Sequence, residues 1–216
     1  GFKSCRPCQH VTTGDGAAQR IRPLLMLHVN PPHGDDANDG TAAKPLATVG
    51  KALSLATERR VDVIMLAEGK YGALEITAKF PQPVTIASGP AWLPRGPREP
   101  NAAPPADVVF ERIAISGAEN VTLRSLRFFV PDAKTEKHCY VNVVKSKHVR
   151  LIGLSIVGEV NDDWAAKKSI GIGVGDSEDV GVEGGAIHHT QFGVTVARVK
   201  DIRVVGVEIG PFREDG

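Results

Sequence analysis

The side chains able to do chemistry sit outside the apolar pattern of this chain, in a few polar stretches. Both of its tryptophans, Trp92 and Trp164, lie there. An exposed indole can stack on the apolar face of a sugar ring, and exposed tryptophan is otherwise unusual. Each can equally fold back to pin its own loop. Arg95 and Arg98 accompany the first; Lys134, Lys137 and His138 follow, then Asp162, Asp163, Lys167 and Lys168 around the second. The adjacent pair His188–His189 completes the set, with a plain surface turn as its other reading. Two chemistries fit these types. A lyase or epimerase acting on a uronic acid must neutralise the sugar carboxylate, which Arg, Lys or calcium can do. It must also take the proton beside that carboxylate, a task for His, Lys or Tyr. His188 and His189 with Lys137 or His138 supply those types. A glycoside hydrolase needs two carboxyls flanking the bond, roughly 5 to 9.5 Å apart. Asp162 and Asp163 are neighbours in sequence and expected to point apart, so one would need a partner on another element, such as Glu183 or Asp176. The set therefore favours a lyase or epimerase over a hydrolase.

Two other clusters invite a metal. Asp35-Asp36-Ala37-Asn38-Asp39-Gly40 suggests calcium, but its acidic spacing is not that of an EF-hand, and Asn or Asp before glycine is ordinary turn chemistry. Cys5, Cys8 and His10 read as a local disulfide, as exposed thiols, or as part of a zinc site that lacks a fourth nearby ligand. Cys139 stands alone. No metal ligand set is assigned, and calcium stays open as the one cofactor.

Composition narrows the classes. The 216 residues carry 26 basic and 25 acidic side chains, a net +1 that argues against nucleic-acid binding by bulk electrostatics. No apolar run approaches the length of a membrane span. Phe2–His10 is polar and has no apolar core of a signal peptide, so the start reads as a mature or trimmed end. With 23 glycines, 15 prolines and only 5 % aromatics, the chain is turn-rich, which excludes coiled coils, collagen and helical bundles.

The elements that must position these groups emerge from internal repeats. Ile113–Val121, Val141–Val149, Ile172–Val180 and Val194–Ile202 align without gaps. Agreement continues at Leu123, Leu151, Val182 and Val204, then at Phe128, Ile156, Ile187 and Ile209. The residue before the second strand is polar and suited to a turn: Asn120, His148, Asp179, Asp201. Successive repeats lie 28, 31 and 22 residues apart, which predicts an all-β, single-stranded parallel β-helix whose equivalent side chains stack in ladders. An antiparallel sandwich also has short alternating strands but would not repeat its columns at one internal offset. Upstream, Val61–Leu66, Leu74–Thr77 and Val84–Ala87 read as strands, parted by turns at Glu68-Gly69 and Pro81-Gln82-Pro83. Leu24–Val29 reads as the strand leading into a helix. Thr48 should N-cap that helix through Ala56, with Val49, Ala52, Leu53 and Ala56 on one face, where it can close the first coil. Residues 1–24 read as an extension or linker and 25–216 as the β-helix, which should continue beyond the C-terminal end.

Against a shortest link of six residues, His188–Gly193, the links Phe129–Tyr140 and Val157–Gly171 have twelve and fifteen. A further loop, Ser88–Ala106, holds six of the prolines. All three long loops are expected to leave one corner and wall a groove, which places Trp92, Arg95, Arg98, Trp164, Lys167 and Lys168 as substrate-binding residues.

The stretch Gly34-Asp-Asp-Ala-Asn-Asp-Gly-Thr41, followed by Lys44-Pro-Leu-Ala-Thr48, resembles the opening of right-handed parallel β-helix proteins of the pectate-lyase-like superfamily. Those often begin with a strand, a G-x-D-x-N-D-G-T turn, a K-P-x-A-T step and a capping helix. The resemblance implies the fold from about residue 25 onward. The superfamily spans polysaccharide lyases, uronan epimerases, glycoside hydrolases and phage tailspikes, and the chain has neither the pectate-lyase arginine motif nor the D-P-H-D of mannuronan epimerases. Two functions follow as expectations. One is recognition, with cleavage or modification, of an extracellular or cell-surface anionic polysaccharide. The other is a stiff structural module of a phage tail, tailspike or adhesin, in which case a homotrimer or virion assembly is expected.

Overall fold

The computed structural model describes residues 23–88, 108–129, 137–158 and 168–210. Strand β1 (Met26–Val29) leads through a loop to helix α1 (Val49–Glu58). The chain then winds in coils. The first holds β2 (Val63–Leu66), β3 (Gly69–Lys70) and β4 (Ala73–Ile76), and the second β5 (Lys79–Ser88), β6 (Val108–Phe110) and β7 (Arg112–Ser116). The third has β8 (Glu119–Arg124), β9 (Arg127–Phe129) and β10 (Lys137–Val144); the fourth has β11 (Lys147–Val157) and β12 (Lys168–Gly175). The fifth has β13 (Glu178–His188) and β14 (Phe192–Ala197), and the sixth β15 (Lys200–Val205) and β16 (Glu208–Ile209).

All pairings are parallel, and they form three faces of a β-helix. Face one stacks β1, β2, β5, β8, the first half of β11, the first half of β13, and β15. Face two stacks β3, β6, β9, the second halves of β11 and β13, and β16. Face three stacks β4, β7, β10, β12 and β14. The repeat columns are the ladders: Ile115, Val143, Val174 and Val196 pair in register, as do Val121, Val149, Val180 and Ile202. Alternation puts these side chains inside, where most are wholly buried.

Corners are made by residues in the left-handed region. Asn120, His148, Asp179 and Asp201, the polar column of the repeat, have φ of 63°, 53°, 53° and 59°. Gly117, Lys145, Asp176 and Arg198 (φ 49–65°) precede them at the corner joining face three to face one. Ser125, Gly153, Gly184 and Gly206 (φ 54–64°) turn face one into face two, so β11 and β13 bend without breaking. Inside the three–one corner, Ser146 and Ser177 are buried and stack. Ser177 Oγ accepts from Ser146 N at 3.1 Å, and Ser146 Oγ accepts from Ala118 N at 3.2 Å. Outside it, Lys79, Glu119, Lys147, Glu178 and Lys200 occupy one register column of alternating sign.

Thr48 caps α1 as expected, its hydroxyl accepting from Lys51 N at 3.2 Å. Val49, Ala52, Leu53, Leu55 and Ala56 are buried against β1, β2, β4 and β5, which closes the first coil. The Asp36 carboxylate takes Ala47 N at 3.0 Å, Thr48 N at 2.9 Å and Thr48 Oγ1 at 2.7 Å. Burial works against its charge, but these bonds outweigh that and hold it below the usual carboxylate range. Asp35 and Asp39 bond Ala37 N and Thr41 N, so turn chemistry accounts for each carboxylate of that cluster.

Three expectations need correction. Pro81–Pro83 is not a turn: β5 runs through it, and the extra residues between Lys79 and Val84 are absorbed as an irregularity opposite Glu119–Val121. Lys137, His138 and Lys168, expected in loops, open strands β10 and β12. The three long insertions do not share a corner. The one after Ser88 separates face one from face two, whereas those after Phe129 and Gly158 separate face two from face three.

Candidate functional site

That difference in roots defines the site. Face two is short, and the roots of the long insertions stand on both of its sides. Its outward positions in the middle coils are Arg127 and Phe129, then Ser155 and Val157, then Ala186 and His188, paired in register. Phe129 is an aromatic side chain 39 % exposed, because its inward neighbour Phe128 takes the core position and leaves it facing out.

Of the residues that sequence reasoning proposed for chemistry, Lys137, His138, Lys168, His188 and His189 lie at the two–three corner. Lys137 pairs with Lys168 and His138 with Ser169 across adjacent coils. His188 pairs with Val157, at the edge of the insertion before Lys168. The turn that follows, His189–Gln191, is tied to the same place: Gln191 N donates to Ser169 O at 3.0 Å, and Gly158 N to His188 O at 2.8 Å. A Cβ on Gly158 would lie 1.8 Å from His189 O, so only glycine lets the two coils approach here.

His188 Nδ1 bonds the Gly210 carbonyl. A carbonyl only accepts, so Nδ1 carries the hydrogen, and in the neutral ring Nε2 is left with the free lone pair. His189 has φ 55°, with its ring 6.5 Å from that of His188. The turn holds three buried polar atoms with no partner: His189 Nδ1, Thr190 Oγ1 and Gln191 Oε1. Thr190 is completely buried. Sequence reasoning missed Phe129, Thr190 and Gln191, and only the doubled aromatic Phe128-Phe129 gave any signal.

The remaining candidates separate. Asp176 belongs to the three–one corner, across face three from this site, where Arg198 grips it through Nε at 2.5 Å and Nη2 at 2.8 Å. That bond holds its carboxyl below the usual range, the wrong direction for a general acid. Glu183 is outward on face one, beside Ile152 and Val205. Neither can serve as the second carboxyl at the two–three corner. Cys139 is half-buried with its thiol donating to Val141 O at 3.3 Å, and burial pushes that thiol up to about 11. Trp92, Arg95, Arg98, Lys134, Asp162, Asp163, Trp164 and Lys167 lie outside the described residues, as do Cys5, Cys8 and His10. Among the described residues no three metal-ligating side chains converge, and no helix is long and apolar enough to cross a membrane.

Residues 32–89 match a family described as a protein of unknown function (DUF1565), a span that holds the lead-in loop, α1 and the first strands of the solenoid. No curated protein matches the chain. Among solved structures, a rhamnogalacturonan lyase superposes with a TM-score of 0.52 and 11 % identity over 87 % of this chain and 58 % of its own. A GH136 lacto-N-biosidase from Eubacterium ramulus does so with a TM-score of 0.47 and 15 % identity, over 89 % of this chain and 42 % of its own. This chain thus spans little more than half the length of that lyase, with which it shares a parallel β-helix fold.

Proposed function

We propose that the chain belongs with the pectate-lyase-like β-helices and recognises an anionic polysaccharide over face two, with the two–three corner at the reacting sugar. The observation that carries this reading is the exposed Phe129 ring on face two, set one coil from Val157 and two from His188 in one outward column, with His188 Nδ1 fixed on the Gly210 carbonyl. Phe129 supplies an apolar ring to stack on, and Lys137 and Lys168 supply charge for carboxylates. The name of the rhamnogalacturonan lyase agrees with a carbohydrate ligand.

For the chemistry we assign proton abstraction beside a uronate carboxylate. His188 Nε2 takes the proton, the electron pair forms a carbon–carbon double bond, and the neighbouring glycosidic C–O bond breaks, its oxygen taking a proton from water. The lysines neutralise the carboxylate and stabilise the charge that develops on it. Trp164, Lys167, Trp92, Arg95 and Arg98 are assigned to substrate binding, and Asp162 and Asp163 to sugar hydroxyls.

Phe129→Ala and Trp164→Ala test the recognition, with polygalacturonate as probe and neutral galactan as control. Each should weaken binding about tenfold, equivalent to about 1.4 kcal/mol and within the range of about 1–3 kcal/mol borrowed from base stacking for the indole. Neither should lower the melting temperature by more than a few degrees, because neither residue stands in the repeat's inward columns. Unchanged binding with a shifted melt would make both residues structural and end the reading. His188→Ala should abolish the ultraviolet absorbance of an unsaturated product while keeping the affinity. Tight binding without such absorbance in the parent chain would reduce the proposal to recognition alone.

A further inference from the structure

His188 and Gly210 meet on face two through an arrangement that the strand ladder alone would not make. β13 and β16 pair in register, Ala186 with Glu208 and Ile187 with Ile209. The Gly210 N–H continues that ladder and donates to Ile187 O at 3.0 Å. In a regular parallel pair the Gly210 carbonyl would next accept the amide of His189. His189 instead leaves the strand at φ 55°, and the imidazole of His188 takes the carbonyl through Nδ1. Gly210 itself has φ 143°, a conformation that glycine adopts readily and L side chains rarely do. That angle sets the direction of its carbonyl apart from that of its N–H, so one residue reaches both the strand and the ring.

We propose that Gly210 is a positioning residue for His188. Its carbonyl holds the ring in the tautomer with hydrogen on Nδ1 and presents the Nε2 lone pair to face two. This role rests on the reading of His188 as the base. An unconstrained histidine favours the other tautomer, in which Nε2 already carries a hydrogen and takes no proton. A backbone carbonyl reverses that preference, because it accepts a hydrogen bond and has none to donate. Nε2 lies at the tip of the ring, away from the backbone, and so meets a ligand lying on the outer face. What Gly210 contributes is main chain alone, together with the freedom to hold φ 143°.

Gly210→Ala tests the role cleanly, because a Cβ there meets nothing within 4 Å and challenges only the backbone angle. Gly206→Ala is the control: it lies in the same coil at φ 64°, and its Cβ also meets nothing within 4 Å. The readout is heteronuclear NMR of the full chain labelled at histidine, at a pH where the rings are neutral. His188 of the parent should carry its hydrogen on Nδ1. Gly210→Ala should move it toward Nε2 and lower turnover of polygalacturonate about tenfold or more, with KM little changed. Gly206→Ala should keep both, whatever it does to the melting temperature. Hydrogen on Nε2 in the parent, an unmoved tautomer in Gly210→Ala, or an equal shift in Gly206→Ala would each overturn the role. So would a shifted tautomer with full turnover. A parent that holds hydrogen on Nδ1 yet yields no unsaturated product would end the lyase reading instead, while the response to Gly210→Ala still decides what holds the ring.

Discussion

Single residues decide where this chain can turn. At the three–one corner the last four coils each begin with a polar residue held in the left-handed region, and Asp179 shows what that position requires. Its φ is 53°, and its carboxylate meets His148 Nδ1 and Arg150 Nη2, each at 2.7 Å. The His148 bond, opposed by partial burial and joined by the Arg150 bond, keeps the acid ionised below its ordinary range. The backbone and the pair can be separated by substitution. Asparagine tolerates the left-handed region and removes only the charge, and half-exposed ion pairs contribute little. Asp179→Asn should therefore lose less than about 1 kcal/mol. A β-branched residue suffers both losses, so Asp179→Val should lose about 2 kcal/mol or more in denaturant unfolding. Equal losses would show that the ion pair, not the turn, is what the corner needs. The polar column was visible in the repeat as a residue type, but the sign of φ was not.

At the scale of elements, the ladders and the charge column answer to different variables. Glu178 is held by Lys200 and by Lys147, which bring its carboxyl down to about 2. A depressed folded pKa contributes stability above the unfolded value, and the contribution is lost as pH falls through the folded one. The melting temperature should thus decline between about pH 4.5 and pH 2, and Glu178→Gln should flatten that decline. An unaltered acid profile in the variant would remove Glu178 from the account. The inward columns were readable from sequence because apolar residues, mostly β-branched, recur there at one offset in coils two to six. Upstream the reading failed for a physical reason. The face-two strand of the first coil is Gly69–Lys70, which contributes no apolar side chain, so the insertion after Ser88 could not be assigned to a corner. Pro81 and Pro83 signalled a turn, yet they sit where β5 tolerates extra residues.

Taken as a whole molecule, the solenoid converts sequence distance into a surface. Residues as far apart as Lys137 and Gln191 meet because they share a corner on successive coils. Their types were legible; their meeting depended on register, which only the stacked strands supply. Thr190 and Gln191 were invisible because what marks them is a missing partner, a property no sequence window records. The two ends of the solenoid also differ, and that difference gives the fold a direction in time. Each coil contacts only its neighbours, so opening is stepwise and starts where the fewest contacts must break. α1 seals the first coil, whereas in the sixth the inward Val204 and Ile209 are 44 % and 39 % exposed. The 216-residue chain, tested as such, should unravel from β16 toward β8, coil by coil. In hydrogen exchange the amides of β15 should lose protection first, those of β13 next, and those of β8 and β11 last. Uniform loss across all coils would instead mark a single cooperative unit, in which the open end confers no order of events.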